Sequence, residues 1–224
     1  MKCLVCPIVI LAATTLGCAD EPSVEQRAKE LIRLNNELVK ALDAVKDRDA
    51  AIKAKPKVDT LRADWTKARS AWTDLNQKPS EKANAAYQAA LLAAGGLADV
   101  NTAFEGLANH FPLDGEPIPL VEDAREAVAE RKMQSLSNAC ESYYLNPNSN
   151  QSYPSVLRDL VSPPWGGASY VRNGATALLD PWGNSFQYAT GQGKKGNPIT
   201  FIWVERTVDE KTKVIGTKPP GKKK

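Results

Sequence analysis

The residues able to carry chemistry are few and scattered along this chain. One histidine, His110, occurs in 224 residues. That removes most zinc sites and most Ser-His-Asp or Cys-His schemes, each of which needs an imidazole held by a second group. His110 has no further ligand close to it in sequence and reads as a surface residue. Of four cysteines, Cys3 and Cys6 fall in an apolar N-terminal run and Cys18 ends it, leaving Cys140. With no histidine or cluster of bases around it, Cys140 reads as a small buried hydrophobe rather than a reactive thiol. One leftover cysteine also closes no internal disulfide. Adjacent acids stand at Glu122-Asp123 and Asp209-Glu210, but neighbouring acids on a helix or tail point apart and are ordinarily solvated. No Gly-x-Ser-x-Gly or phosphate loop occurs. The expectation is a non-enzymatic protein with no cofactor and no bound metal. Trp165 and Trp182 stand beside glycines in loop-like sequence. Exposed, they could stack on sugars, which makes a carbohydrate- or ligand-binding protein the alternative; buried, they plug a small core.

The elements that would position these residues begin after a targeting segment. Lys2 precedes an apolar run at 4–16 that is too short to span a bilayer comfortably. It ends in Thr15-Leu16-Gly17-Cys18, which resembles a bacterial lipobox, where a lipid is joined to the cysteine before cleavage. Thr15 and Leu16 depart from the usual residues there, and signal-peptidase cleavage after Ala19 is the competing reading. Both export the protein. The first gives residues 1–17 as signal, Cys18 as lipidation site, and a membrane-anchored protein facing the periplasm or cell surface. The net charge of +3 leaves no nucleic-acid footprint, and the terminal Lys222-Lys223-Lys224 belongs to a solvated tail at 217–224.

Residues 18–109 follow a helical grammar. Val24, Ala28, Leu31, Asn35, Leu38, Leu42 and Val45 recur at spacings of four and three, after a capping start at Ser23 with Gln26. Pro56 interrupts the pattern, and Val58, Leu61, Trp65, Ala68, Trp72 and Leu75 resume it. Pro79-Ser80 marks the next break, before a stripe of Ala83, Tyr87, Ala90, Ala94, Leu97, Asn101 and Phe104. Gly95-Gly96 inside that stripe marks a bend or a close helix approach. About three helices forming an antiparallel bundle are predicted, with Trp65 and Trp72 in its core.

Residues 110–120, with three prolines and a glycine, read as a semi-rigid linker. A fourth helix from about Val121 to Leu145 carries Ala124, Val128, Leu136, Ala139 and Tyr143 on one side, and ends at Asn146-Pro147-Asn148-Ser149-Asn150. Tyr153-Pro154 leads into a short helical turn with Leu157 and Leu160, then a loop at Pro163-Pro164-Trp165-Gly166-Gly167. The run Asp180-Pro181-Trp182-Gly183-Asn184-Ser185-Phe186-Gln187-Tyr188 is a tight turn opening a strand, in which Phe186 and Tyr188 alternate. A Gly- and Lys-rich turn at 191–197 and a second strand at 199–204 complete a hairpin. The fold class is therefore α+β, a helical bundle followed by one long helix packed on a small antiparallel sheet.

The order of these features over 121–216 resembles the major pseudopilin of type II secretion. The helix ending at Tyr143-Tyr144, Tyr153-Pro154, Pro163-Pro164 and the Asp180-Pro181-Trp182-Gly183 strand start carry the likeness. The fold motif is Tyr153, Pro154, Asp180, Pro181, Trp182, Gly183, Asn184, Phe186 and Tyr188. The resemblance implies a structural module with an envelope or secretion-system protein as partner, and no nucleic acid. Three departures limit what carries over. The methylation motif and apolar assembly helix of that family are missing, Ser185 and Phe186 stand where Pro and Tyr are usual, and the loop in place of its calcium site holds Lys194 and Lys195. Two lysines are hostile to a calcium ion, which needs several anionic oxygens. Filament formation and calcium binding are accordingly not expected.

Overall fold

A computed structural model describes residues 23–76, 81–93, 99–193, 197–208 and 210–220. The signal at 1–17, Cys18, Pro79-Ser80, Gly95-Gly96, Leu97, Lys194-Lys195, Asp209 and the last four residues of the tail lie outside them. Among the described residues no helix is long and apolar enough to cross a membrane.

The first helix, α1 (Val24–Asp43), starts where the sequence places it. Ser23 Oγ accepts from Gln26 N–H while the Gln26 side chain accepts from Ser23 N–H, a complete capping box. The expected stripe is the buried one, with Ala28, Leu31, Asn35, Leu38 and Leu42 all facing the core. The next boundary differs from expectation. The chain breaks at 44–47, and α2 (Arg48–Asn76) runs straight through Pro56. Asp47 makes the break, since its carboxylate accepts from Ala50 N–H at 2.8 Å and satisfies a first-turn donor. Pro56 is tolerated because it faces water. The Ile52 carbonyl that loses its helical donor lies on the same exposed side, where Ile52 itself is 53% accessible. The expected third helix is two, α3 (Glu81–Ala93) and α4 (Val100–His110). Asp99 starts α4 by accepting from Asn101 N–H at 2.9 Å.

Helix α5 (Pro119–Tyr144) opens on Pro119, whose missing N–H costs nothing at a first helical position. All five residues of its expected apolar side are buried. Two cores divide it. Leu120, Val121, Ala124 and Val128 join α1, α2 and α4, while Met133, Leu136, Ala139, Cys140 and Tyr143 join the sheet. Trp72 is buried with Ala28, Ile32 and Ala90 in a third cluster, which Trp65 also borders.

The sheet has three antiparallel strands in chain order, β1 (Gln187–Gln192), β2 (Pro198–Val208) and β3 (Lys211–Gly216). The strand expected to open at Asp180 begins at Gln187, after an isolated bridge between Leu179 and Ser185. β1 runs on through Gly191 and Gln192, and β2 extends four residues past Val204 to Val208. β3 is an added strand. Its Lys-Thr-Lys sequence hides it, because only Ile215 of its six residues is buried. Its last residue, Gly216, has φ +92, and a Cβ there would sit 2.6 Å from both Ile202 O and Met133 Sδ. That is how closely this corner meets α5.

Proline in a helix interior costs about 3 kcal/mol, so Pro56→Ala should raise stability by roughly 1–3 kcal/mol in urea denaturation. An unchanged or lowered midpoint would mean that the ring holds α2 in a bend that its packing requires.

Candidate functional site

A group of interlinked, largely buried polar side chains lies at the head of α5. Glu122 occupies the first turn, where the helix dipole favours an anion. Its Oε1 accepts from Arg125 Nη1 at 2.6 Å. Its Oε2 accepts from Arg206 Nη1 at 2.5 Å and from Trp182 Nε1 at 3.1 Å. The Arg206 guanidinium also lies over the Trp182 ring, 3.9 Å from its centroid. Arg125, 4% exposed, donates through Nη2 to the carbonyls of Phe111 and Pro112 at 2.9 and 3.3 Å. One carboxylate thus ties together α5, strand β2, the 180–184 turn and the segment entering α5. Burial by itself raises the Glu122 carboxyl, but donors from Arg206, Arg125 and Trp182 outweigh it and hold the group below the usual carboxylate range.

The turn delivers Trp182 to this point by its own chemistry. Asp180 is buried, and its Oδ1 accepts from the backbone N–H of Trp182 and of Asn184, both at 2.9 Å. Asp180 N–H donates to Asn184 O at 2.7 Å and Gly183 N–H to Asp180 O at 3.1 Å. Gly183 takes φ +84, the left-handed backbone that glycine adopts without strain. Pro181 fixes the dihedral before Trp182. Asp180 Oδ2 and Arg125 Nε are buried with no hydrogen-bond partner among the described residues.

The remaining motif residues gather at the other end of α5. Tyr188 Oη donates to Pro154 O at 2.8 Å, and Pro154 is fully buried. Tyr153 stacks on Tyr144 with ring centroids 4.8 Å apart and donates to Glu141 Oε1 at 2.5 Å. Phe186 is buried against Leu136 and its neighbours in the sheet core. Cys140 lies inside this end, and burial, with Glu141 adding to it, pushes the thiol up to about 12. That is an inert sulfur. Burial first, then the neighbouring Cys140, pushes the Tyr188 hydroxyl upward as well.

The structure corrects several expectations about chemistry-bearing residues. Glu122 and Asp123 do point apart, but Glu122 is not solvated, with its side chain 17% exposed. Asp123 turns to Lys55 on α2 at 2.6 Å. Glu210 is no tail residue; it immediately precedes β3, with φ +63. Val208 pairs with Lys211 at one end of the eleven-residue β2, and Gly193 N–H bonds Asn197 O at the other, so Glu210 is remote from the residues flanking the loop in place of the family calcium site. Trp165 and Trp182 are half-buried and packed on the sheet core, Trp165 with its ring 4.7 Å from that of Tyr143. Those contacts match core plugs. His110 is exposed at the end of α4, with Nε2 3.0 Å from Lys46 O.

Arg125 and Arg206 are the functional-site residues that the sequence reading missed, and each had a signal. Arg125 follows Glu122 by three, a natural helical ion pair. Arg206 continues the inward-facing series Ile202, Val204 at period two, an unusual place for a charge unless it has a buried partner.

Residues 118–202 match the family model described as Type II secretion system (T2SS), protein G. The match starts at the residue before α5 and ends within β2, and so spans well under half of the chain. No curated protein and no solved structure shows significant similarity to the chain. The C-terminal unit is thus similar to the type II secretion pseudopilin, as its motif order implies. Both Glu122 and the Asp180–Asn184 turn fall inside the matched segment, and Arg206 falls beyond it.

Glu122 contributes stability that is complete above its unfolded value near 4.5 and is lost as pH falls through its lower folded value. Glu122→Gln should therefore cost about 3 kcal/mol at pH 7, by stranding the buried Arg125. The difference from the parent should shrink at pH 3, as read by urea denaturation at both values. An equal penalty at both would show that the charge contributes nothing.

Proposed function

We propose that this protein is an exported envelope lipoprotein that displays a type II secretion pseudopilin-like unit as a structural or protein-interaction module, not as an enzyme. Helix α5 is the observation that carries the reading. In a pseudopilin the chain ahead of this unit is an apolar assembly helix; here it is a helical unit into whose core α5 sends Leu120, Val121, Ala124 and Val128. A unit held in that way is suited to presenting its sheet and loops to a partner, and unsuited to stacking with copies of itself through a free helix. The chemistry of the α5 head agrees with a structural role. Glu122 spends both carboxylate oxygens on Arg125, Arg206 and Trp182, which holds parts of the fold in place.

Anchoring rests on Cys18 and the apolar run before it. A lipid on Cys18 would hold the unit at a membrane surface, where an envelope or secretion-system protein would meet it. In cells fed radiolabelled palmitate, the chain should take up label and sediment with membranes, and Cys18→Ser should lose both properties. A parent chain that is processed, unlabelled and released would instead establish cleavage after Ala19. Crosslinking in intact cells should recover an envelope protein with the labelled form; recovery of long homopolymers would refute the display role.

A further inference from the structure

The two edges of the sheet are built differently. β3 carries Lys211 and Lys213 along its length, charges that discourage a further strand from pairing. β1, at the other edge, reads Gln-Tyr-Ala-Thr-Gly-Gln, with no charge and no proline. Among the described residues its outer edge makes no backbone hydrogen bond. The nearest ones lie just outside the strand, from Phe186 N–H to Leu178 O at 3.1 Å and from Gly193 N–H to Asn197 O at 2.7 Å.

A groove of about 570 Å³ opens beside the first residues of this edge, between the 3₁₀ turns Leu157–Leu160 and Gly174–Leu178. Leu157, Val161, Leu178 and Phe186 line it. Val156 and Leu179 stand at its rim, 54% and 36% exposed, large apolar side chains left in water on one small surface. Arg158, exposed, is the charged residue among the groove's lining.

We propose that the β1 edge and this groove dock an extended segment of a protein partner, added to the sheet as a fourth strand, with a bulky apolar side chain between Val156 and Leu179 and a carboxylate facing Arg158. The inference rests on the reading of this unit as an interaction module. Charge decides against a second copy of the chain as occupant. β1 carries no carboxylate to set against Arg158, so a second β1 edge laid along the first would leave that cation unanswered. A strand with a carboxylate at the groove end meets opposite charge there, while its main chain satisfies the open edge.

The test uses the full mature chain and a fluorescein-labelled peptide, Glu-Val-Thr-Leu-Thr-Val-Glu, with a lysine-ended version as control. Fluorescence anisotropy should show binding of the acidic peptide, with Arg158→Glu weakening it about tenfold and favouring the lysine-ended peptide instead. Val156→Asp, on an exposed side chain that leaves the core intact, should abolish binding of both. Amide hydrogen exchange should slow in β1 on binding and stay unchanged in β3, and normal protection of β2 in each variant establishes that it is folded. Failure of the acidic peptide to bind, binding that leaves the β1 amides unprotected, or indifference to Arg158→Glu would each overturn the proposal, as would self-association abolished by Val156→Asp. The broader reading fails separately. An envelope partner recovered with a chain that ignores the peptide would leave the module standing without this edge. Peptide binding with no envelope partner would leave the edge standing without the module.

Discussion

The carboxylate of Glu122 is the point on which the arrangement of this protein turns. A buried anion needs donors on every side, and those available come from parts of the chain far apart in sequence: Arg125 one helical turn on, Trp182 from a loop and Arg206 from β2. Each donor is fixed in turn by something else. Arg125 is held by the carbonyls of Phe111 and Pro112, Trp182 by the Asp180 turn, and Arg206 by the register of β2 against β1 and β3. The cost of burying so much charge is offset only when all of these are in place, which makes the group a device for specifying one arrangement more than for adding stability.

The position of that group explains why one helix can serve two cores. α5 turns Leu120 to Val128 toward the helical unit and Met133 to Tyr143 toward the sheet. Further ion pairs brace the first of these halves, Lys55 to Asp123 and Arg131 to Glu105, while Lys213 reaches Glu126 from β3. The segment entering α5 is bound as well. Arg48 pairs with Glu116 at 2.7 Å, and Ile118 is buried before the first helical turn. Prolines make this stretch stiff, but its contacts are what attach it to both sides.

Much of this was legible in the sequence where local physics decides. The α1 stripe, its capping box, the buried side of α5, the 3₁₀ turn at Leu157–Leu160 and the α+β class all follow from periodicity and turn chemistry. Errors arose where an exposed surface relaxes the rules. Pro56 ends a helix by default, yet on a solvent-facing side its lost hydrogen bond is tolerable, and the true break lay with the quieter signal of Asp47. β3 carries its lysines toward water and shows one buried residue, which leaves no alternation to read. Glu122 was legible as a helical acid. Its importance was not, because the period-two place of Arg206 signals a buried partner without saying which one.

The Asp180–Tyr188 run shows the same division between shape and task. Every residue of the turn has a local reason, from the Asp180 carboxylate that accepts two backbone donors to the left-handed Gly183. Those reasons account for a turn that aims a tryptophan, and they hold in any fold that needs one. What this chain does with the aimed ring is set by Glu122 and Arg206, the latter outside the family-matched segment. After the turn, Phe186 goes to the core and Tyr188 reaches back to Pro154, so that the run spends its side chains on the inner face of the fold. The backbone of the strand that follows is left as the open side. A motif that closes the interior and leaves an uncharged edge outside fits a unit whose work is done by contact.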